Sequence, residues 1–311
     1  MGSITENPVV PLASQPLAID PVTSGRSKCA DYWSLTKPEV NSLVLASTLA
    51  GFYLGWRGPM NFMLMFHTLA GTLLVASGTA TLNQWIERRS DGHMRRTANR
   101  PLPSGRLSSA EAMWFGVVLA ATGGLYLALA VNILASGLAL LTLASYLLLY
   151  TPLKRKTPYC TLVGAFPGAM PPLIGWAAAR GNLNLEAWIL YAILFIWQFP
   201  HFLAIAWMYR EDYARAGLLM LPADDPQGRR AARQILVTSL ALLPISLLPA
   251  WLGEMGMIYF FGALGLGLIM LYCGASAAQV RSNALARRLL MASVFYLPLV
   301  FGFMIADKYW A

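Results

Sequence analysis

"NQWIERRSDGHMRRTANRPLPSGR", residues 83–106, gathers six arginines and two carboxylates into a chain of 311 residues that is 57% hydrophobic and only 12% charged. A link between two apolar helices needs no such stretch, so its residues mark something the helices are built to hold. Around it, runs almost free of charge recur at roughly 41–56, 60–82, 112–131, 133–150, 159–178, 187–208, 234–252, 257–278 and 289–306. Each is close to the ~20 residues that a helix needs to cross the hydrocarbon of a bilayer. Barrel strands would be about half as long and would alternate apolar with polar residues, which these runs do not. The composition excludes an ordinary soluble protein, and the expected fold is all-α: a polytopic membrane protein with nine transmembrane helices.

The net charge of +9 is distributed loop by loop instead of along one stripe, which argues against a nucleic-acid partner and for the lipid bilayer as the surroundings. Twenty of the 23 Lys and Arg fall in the N-terminal segment and in the loops after the even-numbered runs. By the positive-inside rule those parts face the cytoplasm, and the C-terminus faces the opposite side. Residues 1–30, rich in Pro and Ser and poor in Arg, are expected to be a disordered cytoplasmic tail, and 31–311 a single domain. The lack of an Arg-rich leader favours a bacterial inner (plasma) membrane over an organelle. Cys29, Cys160 and Cys273 have no metal or redox spacing and read as packing residues.

Topology anchors require only Lys and Arg, yet carboxylates join them at two span ends. Asn83, Glu87 and Asp91 follow the second run, and Glu211 and Asp212 follow the sixth. Positions i, i+4 and i+8 share one helix face, so the first set forms a single oxygen-bearing stripe. Acids at such a depth cost free energy when unpaired, so partners or a cation are expected. Hard oxygen ligands of this kind suit Mg²⁺, which binds a few carboxylates and shares its remaining sites with phosphate oxygens. Arg95, Arg96 and Arg100, with Lys154 and Arg155, can fork onto those phosphates. The plainer alternative is that the arginines are anchors alone.

The pattern N-x-x-x-E-x-x-x-D-x-x-M-x-R-T-x-x-R-P-L from Asn83 to Leu102 is accompanied by "LTKP" at 35–38, "YTPLKR" at 150–155, "PHFLAIAW" at 200–207 and "DYARAGLLMLP" at 212–222. Together these resemble the protohaem IX farnesyltransferase (haem O synthase) branch of the UbiA-type intramembrane prenyltransferases, from residue 30 to the C-terminus. Two positions depart from common patterns. Gln84 stands where the wider superfamily usually has an acid, which points to the haem branch, and Glu39 stands where that branch commonly has a base.

The resemblance implies nine helices enclosing a central cavity open to the cytoplasmic side. It implies transfer of a farnesyl group from farnesyl diphosphate to a vinyl group of protohaem IX, with water addition, giving haem O and diphosphate. Mg²⁺ is the implied cofactor, with haem as substrate. Asn83, Glu87, Asp91 and Asp212 are the expected catalytic residues, and Glu87, Asp91, Asp212 and Glu211 the expected metal ligands. Arg96, Arg100, Lys154, Arg155 and Lys37 are expected on the diphosphate. His201, in the membrane beside Pro200, is the candidate haem ligand, the alternative being a core histidine bonded to a backbone carbonyl. His67 and His93 have weaker claims. The fifth run, broken by Pro167, Pro171 and Pro172, is expected to wall the substrate chamber. Haem A synthase or a cytochrome oxidase assembly factor are candidate partners to receive the product. Rival functions are a UbiA-type enzyme with another aromatic or tetrapyrrole acceptor, a transporter, and a non-catalytic haem-binding assembly factor.

Overall fold

The computed structural model describes residues 27–221, 225 and 227–310, the side chains of 309 and 310 excepted. No strand occurs among them. A short helix α1 (Lys28–Leu35) leads into α2 (Pro38–Gly55), α3 (Phe62–Asp91) and α4 (Ser109–Ala130). Next, α5 (Ile133–Ala144) widens into a π-helical stretch at Ser145–Tyr150 and ends in α6 (Thr151–Leu153). Then come α7 (Cys160–Gly168), α8 (Met170–Arg180), α9 (Leu185–Met208), α10 (Arg210–Arg215), α11 (Arg229–Trp251), α12 (Met257–Val280) and α13 (Asn283–Trp310). Residues 1–26 of the expected tail lie outside the described residues. Residues 28–30 open α1, whose first turn is capped by the Ser27 hydroxyl.

Among the described residues, eight stretches are long and apolar enough to cross a membrane. Seven coincide with runs two to four and six to nine, and the eighth is the broken pair α7–α8. The first run is also helical, as α2, but Asn41, Ser47 and Thr48 lower its apolar content and are buried against protein. The helices pack as two groups. In one, α3 lies on α4, α4 on α5, α5 on α8 and α8 on α2; in the other, α9, α11, α12 and α13 pack on one another. Glycine permits the closest approach, between α2 and α8. A Cβ on Gly51 would sit 2.1 Å from the Pro172 carbonyl oxygen, and one on Gly175 would sit 1.9 Å from that of Thr48.

The proline-rich fifth run breaks at Ala169, between α7 and α8. Prolines lack the N–H that would satisfy a carbonyl one turn back. Gln198 of α9 packs against this break, donating from Nε2 to the Ala165 carbonyl, 3.1 Å away, which also accepts the Ala169 N–H. In the α8 half of the expected chamber wall, Pro171 to Ala178 are buried throughout and pack on protein, Trp176 also lining a cavity. A cavity of about 250 Å³ opens at the end where α2 finishes, lined by residues that include Arg57, Trp176, Glu186 and Lys308. At the other end, where α3 and α9 finish, the 92–107 loop and residues 209–221 cover the bundle around Met94, Leu218 and Met220.

Candidate active site

Asn83, Glu87 and Asp91 occupy successive turns at the end of α3, as their spacing requires, with Asn83 and Asp91 buried. Asn83 Nδ2 donates to Glu87 Oε2 at 2.8 Å, and its Oδ1 lies 2.9 Å from the Thr151 hydroxyl. Asn83 therefore joins α3 to the base of α6 and orients Glu87. The other Glu87 oxygen, Oε1, accepts from Lys154 Nζ at 2.8 Å. Arg100 donates to Asp91 Oδ2, also at 2.8 Å, while Asp91 Oδ1 is buried with no partner. The Thr97 hydroxyl bonds the Asp91 carbonyl, closing the turn that brings Arg100 back over α3. Removing one member of such a buried pair typically costs ~3–5 kcal/mol, because the other charge is left uncompensated.

Lys154 is held on two sides. Its ammonium lies 4.4 Å from the Tyr150 ring and 5.8 Å from the Tyr146 ring, a cation–π arrangement that suits a desolvated cation. The π-helical stretch creates this geometry. Its extra residue lets Thr151 N–H and Oγ1 both approach the Tyr146 carbonyl, and it turns both rings toward Lys154. Pi-bulges of this kind are frequent at functional sites. Arg155 donates to the Ser90 hydroxyl, which adds a further cation beside the stripe.

Lys37 precedes α2 in a left-handed conformation, with φ of 50°, which costs a non-glycine residue about 1–3 kcal/mol. Burial, and then the positive charges of Arg100 and Lys154, push its ammonium down to about 7 against the pull of Glu87 and Asp91. Lys37, Lys154 and Arg100 thus surround the two carboxylates.

The α10 residues are placed differently. Glu211 is exposed, and Asp212 pairs with Arg215 one turn on in the same helix. The helix docks onto the 92–107 loop through Arg215 Nε, 3.5 Å from the His93 carbonyl, and through Arg96, which is 3.4 Å from the Tyr213 hydroxyl and 5.2 Å above the Tyr209 ring. Asp91 and Asp212 therefore lie at one end of the bundle. The expected four-carboxylate metal cluster is not assembled, however: among the described residues no three of His, Cys, Asp and Glu form a group able to hold a metal ion. Each of Glu87, Asp91 and Asp212 has taken a basic neighbour as counter-charge. The α3 residues by themselves fit Mg²⁺, which needs only one or two carboxylates alongside substrate phosphates. The unpartnered Asp91 Oδ1 supplies the free oxygen. Arg95 is exposed.

Of the histidines, His67 bonds Tyr126 across the α3–α4 contact at 2.6 Å, and His93 Nδ1 lies 2.8 Å from the Arg89 carbonyl. His201 does not bond a backbone carbonyl. Its Nδ1 is 2.8 Å from the Ser293 hydroxyl of α13, and its ring stacks on Trp197 at 4.8 Å.

Several contributors had little sequence signal. Tyr146, Tyr150 and Thr151 adjoin or belong to "YTPLKR", where the charges dominate the pattern and Pro152 alone signals an irregular helix. Asp31 had none: 75 residues away in the chain, it accepts from Arg106 Nε at 3.0 and 3.2 Å. Arg106 also bonds the Asn99 carbonyl and Ser104, which secures the Arg-bearing loop to α1.

The model of the UbiA prenyltransferase family matches residues 44–301. A protoheme IX farnesyltransferase of Solibacter usitatus is 53% identical over 287 residues, covering 89% of this chain and 98% of the relative. The enzyme of the same name from Koribacter versatilis is 46% identical over 305 residues, 95% of this chain and 98% of the relative. Among solved structures, one of digeranylgeranylglyceryl phosphate synthase superposes with a TM-score of 0.74 at 17% identity, covering 91% of this chain and 99% of that one. A UbiA homologue from Archaeoglobus fulgidus bound to GPP and Mg²⁺ gives 0.63 at 15% identity, covering 90% of this chain and 99% of that one. The chain belongs to the UbiA prenyltransferase family and, within it, to the protohaem IX farnesyltransferases. It is a multi-pass membrane prenyltransferase.

Proposed function

We propose that the chain transfers the farnesyl group of farnesyl diphosphate to a vinyl group of protohaem IX, with water addition, to give haem O and diphosphate. The observation that carries this reading is the α3 stripe: two carboxylates flanked by Lys154, Arg100 and Lys37 at a membrane-helix end. The difficult step is heterolysis of the allylic C–O bond, whose electron pair leaves with diphosphate. Preorganised cations in a water-poor site stabilise the charge that grows on the leaving oxygens. Lys154, Arg100, Lys37, Arg96 and Arg155 occupy that role. Glu87 and Asp91, with Asn83 fixing Glu87, are the residues that would hold Mg²⁺, which when bound supplies Lewis-acid stabilisation of the same oxygens. The vinyl π electrons then bond the allylic carbon, water captures the resulting cation, and one proton is released.

His201 is proposed to orient the haem. The Ser293 hydroxyl donates to the Leu290 carbonyl at 2.6 Å, so it accepts from His201 Nδ1–H and leaves the Nε2 lone pair available to the iron. His201 lies seven residues before the end of α9, roughly 10 Å from the polar end. An unchanged haem spectrum and KM in His201→Ala would remove this role; a KM for protohaem raised about tenfold is expected.

The proposed location is a bacterial inner membrane, and the charge bias supports a cytoplasmic polar end and N-terminus with the C-terminus opposite. Haem A synthase or an oxidase assembly factor would receive the product. The test is product analysis of membranes given protohaem and farnesyl diphosphate, with and without a chelator. A tetrapyrrole heavier by one farnesyl and one hydroxyl group, lost on chelation, is expected. Farnesylation of a different acceptor, or none, overturns the reading.

A further inference from the structure

The turn that carries Lys37 is held by two side chains for which the chemistry above finds no use. The helix ladder of α1 ends at Leu35, because the left-handed Lys37 and the imino nitrogen of Pro38 prevent it from continuing. The Lys37 carbonyl takes up the Val40 and Asn41 N–H groups. That leaves the carbonyls of Leu35 and Thr36, just before Lys37, without backbone partners one turn ahead. Leu35 is fully buried, so an unpaired carbonyl there would cost its full desolvation.

Each carbonyl is met by a buried side-chain amide from a different helix. Gln84 Nε2, on α3, donates to the Leu35 carbonyl at 2.8 Å. Asn41 Nδ2, on α2, donates to the Thr36 carbonyl at 2.8 Å and lies 3.0 Å from the Ser77 hydroxyl of α3. Gln84 and Asn41 are only 2% and 3% exposed, so neither contact is a solvent accident. Gln84 follows Asn83 directly: one residue faces the carboxylate stripe and the next faces the turn opposite it. Strained backbone persists where surrounding contacts over-determine it.

We infer that Gln84 and Asn41 are positioning residues that clamp the left-handed Lys37 turn to α3, so that the Lys37 ammonium is presented to the diphosphate. The inference rests on the proposed role of Lys37 as a diphosphate ligand. Neither amide touches substrate; both act through Lys37.

The test is a double-mutant cycle read as the Kd of farnesyl diphosphate by calorimetry, on the purified full chain with Mg²⁺, which does not depend on the acceptor. Gln84→Met and Lys37→Met are each expected to weaken binding about tenfold, and the double variant to be no weaker than Lys37→Met alone. Additive losses would show that Gln84 acts independently of Lys37 and would overturn the inference. So would wild-type affinity in Gln84→Met alongside a weakened Lys37→Met. Wild-type affinity in Lys37→Met would instead overturn the role of Lys37 itself. If Gln84→Met does not yield folded protein, judged by thermal melting in detergent, Asn41→Leu enters the same cycle and is decided by the same outcomes.

Discussion

Asn83, Glu87 and Asp91 on α3 and Glu211 and Asp212 on α10 present carboxylates at the same end of the bundle, yet their surroundings differ. On α3 each acid is tied to a cation outside its own helix: Glu87 to Lys154, 67 residues on, and Asp91 to Arg100, which the following loop folds back. On α10, Glu211 is exposed and Asp212 turns to Arg215 within its own helix. The α3 site is assembled by the fold, whereas the α10 pair is a local feature that docks on it through Arg96 and Arg215. Preorganisation is what makes electrostatic catalysis effective, so the chemistry should depend far more on the first set.

The largest effect should follow from Asp91→Asn, which removes a carboxylate from the metal-binding face and leaves Arg100 uncompensated. Turnover measured as diphosphate release should fall about 10³-fold. Glu87→Gln should cost roughly 10²-fold by the same assay, because Lys154 keeps a neutral partner. On the α10 side, Asp212→Asn should lower kcat/KM only about tenfold, mainly through KM for the diphosphate. A loss as large as that of Asp91→Asn would erase the contrast between the two sites.

A smaller effect concerns pH. Lys37 is held down to about 7, so its charged form is present below that value and is lost as pH rises through it. In the free enzyme kcat/KM for farnesyl diphosphate should therefore fall a few-fold between about pH 6 and 8.5, and that limb should vanish in Lys37→Met. Persistence of the limb in the variant would detach Lys37 from the site. Smallest of all, Glu211→Gln should change kcat/KM by less than about twofold, as expected of a solvated side chain.

What could be read from the residues follows from how local each signal is. Charge-free runs at membrane length locate the spans, and a four-residue period locates the α3 stripe. Both depend on neighbours along the chain. The α2 helix is visible as an apolar run even though it carries the buried polar residues Asn41, Ser47 and Thr48. The partners of the stripe were beyond reach. Nothing in the spacing says that Lys154 bonds Glu87 across 67 residues, or that Asp31 secures Arg106 across 75. The prolines of the fifth run signal a break, but not that Gln198 of α9 packs against it at the Ala165 carbonyl.

The most direct measurement is single-turnover diphosphate release by wild-type, Asp91→Asn and Asp212→Asn enzyme at saturating Mg²⁺, farnesyl diphosphate and protohaem. The account predicts that Asp91→Asn loses roughly a thousandfold in rate while Asp212→Asn keeps about a tenth or more of it. Release at near wild-type rate in Asp91→Asn, or equal loss in the two variants, would contradict it.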